Sequence, residues 1–133
     1  MIKVIFGQKG TGKTKKMIDS VNSVAENATG SVIFIDDSDQ LKYDVSRKVR
    51  YINVREYLDK EDGQFFGFLN GIIASNYDIS DIFIDRFVHV ITGDAEDFFK
   101  RLEILSKKEN IDFYISFSST DKEVPEYLEE YII

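Results

Sequence analysis

The chain has 133 residues, 43% hydrophobic and 14% aromatic, which suits one domain, residues 1–133, with a core of its own and argues against disorder. Its formal net charge is −7 and it has no cysteine. The charge disfavours nucleic acid as a broad-surface partner while leaving room for a local basic patch, and the missing cysteines exclude disulfides, thiol nucleophiles and thiolate zinc sites. No stretch is long and apolar enough to span a bilayer, and the first residues lack the regions of a signal peptide, so a cytoplasmic location is expected.

Ile2–Phe6 reads as a first strand. After a glycine-rich turn, Met17, Ile18, Val21, Val24 and Ala25 recur at helical spacing, and Asn27–Gly30 is a plausible stop. Ser31–Ile35 is a near-continuous apolar run, as in a strand covered on both faces, and it closes in Asp36-Asp37-Ser38-Asp39. A polar connection over Gln40–Lys48 leads to a short strand at Arg50–Val54, and residues 55–60 suit a helical turn. Phe65, Phe66, Leu69, Ile72 and Ile73 place a helix between Gln64 and Ser75.

Asp81–Asp85 is the next buried strand. Asp94 suits the N-cap of a helix reaching about Lys107, with Phe98, Phe99, Leu102 and Leu105 on its apolar face. Ile111–Phe117 is the last strand, and Pro125 suits the first turn of a short final helix. Strands alternating with helices predict an α/β fold with a mainly parallel sheet and helices on both faces. Ligands of such sheets sit at the carboxyl ends of the strands, here Phe6/Gly7, Asp36, Asp85 and Ser118.

The turn between the first strand and first helix carries the most specific information. Gly7-Gln8-Lys9-Gly10-Thr11-Gly12-Lys13-Thr14 is a complete G-x-x-x-x-G-K-[ST] run in a strand–loop–helix context. Glycines allow backbone conformations closed to other residues, so that successive N–H groups can face one anion. The helix start adds unpaired N–H groups and the positive end of its dipole. Lys13 is placed to reach the β- and γ-phosphates of a nucleotide, and the Thr14 hydroxyl to ligate Mg²⁺. Asp85, ending an apolar strand about seventy residues later, is the partner expected to hold that metal with Thr14.

With these residues in view, the chain resembles a P-loop NTPase, Gly7–Thr14 matching Walker A and Asp85 matching Walker B. It is similar to the RecA-like, additional-strand division. The resemblance implies a three-layer α/β/α fold with a five-stranded sheet in the order 3-2-4-5-1, and ATP and Mg²⁺ as ligands. The chain departs from the pattern at Arg86, where many members carry the glutamate that activates water, and it shows no adenine-binding motif. By the same resemblance a catalytic carboxylate can end the second strand, and Asp36 is chosen over Asp37 and Asp39 as the first polar residue there. Lys13 and Asp36 are thus the expected catalytic pair.

Ser116, Ser118, Ser119 and Thr120 are candidates to sense phosphate or orient water, or else form a polar turn. Arg86 is read as a phosphate contact or as the partner of a nearby acid, and His89 as a packed or surface residue. Gly63, Gly67 and Gly71, with Ala74, form a smooth row that permits a subunit or partner contact, or close packing within the domain. The leading expectation is Mg-dependent, slow ATP hydrolysis. The alternatives are a nucleotide-dependent regulatory or assembly module that does not hydrolyse, and a small-molecule kinase, against which stands the lack of an arginine-rich lid.

Overall fold

A computed structural model describes residues 1–59, 63–91 and 93–133. Its apolar runs form five strands: β1 (Ile2–Gly7), β2 (Ser31–Asp36), β3 (Val49–Asn53), β4 (Ile79–Ile84) and β5 (Asp112–Ser118). Between them lie α1 (Lys13–Asn27), α2 (Phe65–Ser75), the short α3 (Phe87–Val90) and α4 (Ala95–Glu109). All the strand pairs are parallel, and the order across the sheet is β1-β5-β4-β2-β3; counted from the β3 edge this reads 3-2-4-5-1.

Period-two alternation splits the strands between two cores. Val32, Phe34 and Phe83 face α1, where they meet Met17 and Val21. Ile33, Ile35, Ile82, Ile84, Phe113 and Ile115 face the other way, toward α2 and α4. The central strands are therefore apolar on both sides, which is why they read as unbroken runs. The second core is rich in aromatic rings. Phe87 is fully buried, with ring centroids 5.1 Å from Phe98, 5.2 Å from Phe99 and 5.6 Å from Phe117. Burying one such ring contributes about 2–3 kcal/mol.

Local chemistry sets the element ends. Asp94 caps α4 by accepting from the Glu96 amide at 2.9 Å, and Asn110 closes it in the left-handed region at φ 53°. Gly30 stands where a Cβ would lie 2.0 Å from the Asp78 carbonyl oxygen, and the Ser31 amide bonds to that same oxygen at 2.8 Å. The chain must pass this close for β2 to begin beside β4.

Three local expectations change in detail. The turn after β3 is a 3₁₀ turn over Val54–Glu56, and residue 60, the last of the span expected to form it, lies outside the described residues. The final helix is 3₁₀ over Glu126–Tyr131, with Pro125 just before it. Leu128 and Tyr131 anchor it in the core, and Ile132 pairs with Val4 on the outer side of β1. The run Phe87–Ile91, to which the sequence pattern assigned no element, holds α3.

Candidate functional site

Parallel pairing aligns the carboxyl ends of the strands. Gly7 is in register with Ser118, Ile84 with Ile115 and Ile35 with Ile84, so the residues following them share one edge of the sheet. There the loop from Gly7 to α1, together with Thr14, Arg86, Ser116 and Ser118, borders a cleft of about 330 Å³. That size suits a small polar ligand.

The loop is held open by its glycines. Gly10 and Gly12 have φ of 82° and 83°, a region costly for any residue with a Cβ. Gly12 immediately precedes α1, with no side-chain cap bond. Among the described residues, the amides of Lys9, Gly10, Thr11 and Gly12 donate to no protein acceptor. The Thr11 hydroxyl braces the loop by donating to the Gln8 carbonyl at 2.7 Å. The Lys13 ammonium donates to that carbonyl at 2.6 Å and to the Thr11 hydroxyl at 3.3 Å. Burial pushes the Lys13 pKa below its ordinary value, opposed by the charge of Asp85.

Asp85 is fully buried beneath the loop. Its Oδ2 accepts from the Thr14 hydroxyl at 3.1 Å, joining residues 71 positions apart in the chain, and its Oδ1 accepts from the Ser116 hydroxyl. The Ser116 oxygen also accepts from the Arg86 amide at 2.8 Å. One serine thus orients Asp85 and pins the start of the next turn. Its type and strand-end position gave the only sequence signal, and that signal did not separate Ser116 from Ser118, Ser119 and Thr120.

Arg86 takes φ 50° and ψ 50°, a left-handed conformation unusual for a residue with a Cβ. This turn lets Phe87 sink into the core while Arg86 swings toward β2. Its Nε and Nη2 bond to Asp36 Oδ1 and Oδ2, each at 3.0 Å. Nη2 also reaches the Ser38 hydroxyl at 2.8 Å and lies 3.1 Å from Asp37 Oδ1. The bonds to Asp36 hold the guanidinium pKa above its ordinary value.

Asp36 has no exposure at all. Its Oδ1 takes the Asp37 amide at 2.8 Å as well as Arg86, and its Oδ2 takes the Tyr51 hydroxyl at 3.1 Å as well as Arg86. Arg86 and the Asp37 amide commit three N–H donors to this carboxylate, while the single Tyr51 proton is shared with the Ser38 carbonyl, which lies closer at 2.8 Å. Burial pushes the Asp36 pKa up, and the hydrogen bonds from Arg86 and the Asp37 amide act against that. As placed, Asp36 serves as an anchor for Arg86, both of its oxygens held by the guanidinium and screened from solvent.

Asp37 is different. Its Oδ1 is buried and close to Arg86 but receives no directed hydrogen bond, and its Oδ2 lies 3.7 Å from His89 Nδ1. Of the strand-end acids beside Arg86, Asp37 is the one with spare accepting capacity. His89 is half-exposed and borders the cleft.

The structure thus brings Gly7–Thr14, Asp85, Ser116 and Ser118 together, and joins Asp36 to Arg86. Thr120 accepts from the Gln8 side chain through its carbonyl at 3.3 Å, and the Ser119 amide bonds to the Gly7 carbonyl at 3.1 Å. Both brace the loop from outside. No protein-family model matches this chain, and no curated protein matches its sequence.

Proposed function

We propose that the chain is a small P-loop NTPase of the RecA-like type that binds ATP with Mg²⁺ in this cleft and hydrolyses it slowly. The observation that carries the reading is the contact between Thr14 and Asp85 at 3.1 Å, beside a loop with four unengaged amides at a helix start. Phosphate oxygens suit such amides, and the dipole of a 15-residue helix favours negative charge at its first turn. Lys13 would exchange its loop carbonyl for phosphate oxygen, a stronger charge-assisted bond.

The donor set fits magnesium. Thr14 and Asp85 offer a hydroxyl and a carboxylate, both hard oxygen ligands, and Mg²⁺ usually takes one or two such groups besides phosphate and water. When bound there, the ion would neutralise charge on the β- and γ-phosphates. Ser116 would keep Asp85 oriented as the Thr14 hydroxyl changed partners.

Slow turnover follows from the acids. Asp36 is buried and held by both arms of Arg86, which fills the position after Asp85. Asp37 is the remaining strand-end acceptor, held back by Arg86. The same engagement of Asp36 favours a second reading, a module that binds nucleotide to regulate or assemble and does not hydrolyse it. For the hydrolase, full activity would require a cation supplied by a second copy or a protein partner. The cytoplasm, where ATP is abundant, suits both readings.

The test is calorimetric titration of ATP and GTP with magnesium, followed by phosphate release. The wild type should bind ATP, and Lys13→Ala should weaken binding at least about 100-fold, roughly 2.7 kcal/mol. Slow wild-type release that disappears in Asp37→Asn supports the hydrolase, and binding with no release supports the module. Absence of nucleotide binding by the wild type overturns both.

A further inference from the structure

We infer that the surface made by β3 and the loop before it binds single-stranded nucleic acid. In a chain of net charge −7, residues 42–50 hold four cations, Lys42, Arg47, Lys48 and Arg50, against one carboxylate, Asp44, a local formal charge of +3. All four cations are exposed and border one shallow depression of about 570 Å³. Among the described residues none of them joins an ion pair, whereas Lys15, Arg86, Lys100 and Lys107 elsewhere do. Convergent, uncompensated cations mark a site for phosphates.

Tyr43 lies on the same depression and is 93% exposed. An exposed ring amid cations offers a stacking surface to an unpaired base, the combination that recognises single strands without reading sequence. The surface is also rigid. Val45 is buried beneath it, and Asn22 of α1 clamps the loop, donating to the Asp44 carbonyl at 3.0 Å and accepting from the Ser46 amide at 2.8 Å. A strand would bind without first ordering the loop. Protection of an exposed sheet edge can account for Arg50 on the edge strand β3, but Lys42, Arg47 and Lys48 precede that strand.

The test uses the full chain and fluorescence anisotropy of a labelled oligothymidylate of about 20 nucleotides, longer than the ~4–16 that one such surface covers. Four phosphate contacts predict affinity falling about 50-fold between about 50 and 200 mM salt. The pair Arg47→Glu with Lys48→Glu should weaken binding at least about tenfold at the lower salt. Tyr43→Ala should weaken it about tenfold, and Tyr43→Phe should leave it intact.

A free oligonucleotide at the lower salt, or unchanged affinity in the charge-reversal and Tyr43→Ala variants, overturns the proposal. So does a duplex of equal length that binds as tightly and ignores Tyr43→Ala. The segment 121–130, with Asp121, Glu123, Glu126, Glu129 and Glu130, is the acidic counterpart within the chain. If sedimentation shows self-association abolished by Arg47→Glu while the oligonucleotide stays free, the surface is instead a contact between copies.

Discussion

Asp36 and Arg86 form a pair whose halves are unequally buried. The carboxylate is fully enclosed, while about a third of the Arg86 side chain remains open to solvent. Breaking a wholly buried pair costs about 3–5 kcal/mol, and solvent at the guanidinium reduces this. We expect Asp36→Ala to destabilise the fold by about 2 kcal/mol in urea denaturation. Asp37→Ala, with only one oxygen near Arg86, should cost less than about 1 kcal/mol. Equal losses would show that the bidentate bonds do not set the hierarchy. Neither the pairing nor its hierarchy can be read from the string Asp36-Asp37-Ser38-Asp39. Choosing among adjacent acids requires knowing which one Arg86 reaches, fifty residues later.

Helix α2 has two glycines on its open face. A Cβ at Gly67 or Gly71 would meet nothing within 4 Å, and neither has a positive φ. Among the described residues, their row therefore packs against no other element. Gly67→Ala and Gly71→Ala should each stabilise the protein by about 0.5–1 kcal/mol, visible as a raised thermal midpoint. A loss in either would show that the backbone there is less helical than its hydrogen bonds suggest. Helix α4 lies at the other extreme. Its N-cap at Asp94, its apolar face and its end near Lys107 were legible in sequence. Asp94→Ala should cost about 1 kcal/mol, the ordinary value of an N-cap.

Across the whole molecule, three tyrosines bond to acids on neighbouring elements. Tyr51 bonds to Asp36, Tyr114 to Asp81 and Tyr131 to Glu103. Burial first, and then these negative neighbours, push all three phenol pKa values well above the usual range. The folded chain therefore keeps these protons more tightly than the unfolded chain. Their contribution to stability is complete below about pH 10 and is lost progressively above it. A thermal midpoint that falls as pH rises past about 10, with a shallower fall in Tyr51→Phe, is the expected result. A midpoint flat to higher pH would contradict it.

By itself, the sequence determined the elements and the glycine-rich turn. Apolar period distinguished doubly covered strands from amphipathic helices, and α/β alternation implied parallel pairing, because each is a property of neighbouring residues. The short α3 escaped because four residues carry too little period to mark a helix. The tertiary structure alone decided that Thr14 meets Asp85, that Ser116 holds both Asp85 and the Arg86 backbone, and that Asp36 is consumed by Arg86. Those contacts arise only when parallel strands bring their carboxyl ends to one edge, so residues far apart in the chain come within hydrogen-bonding distance. Short-range patterns cannot encode which distant side chain arrives first.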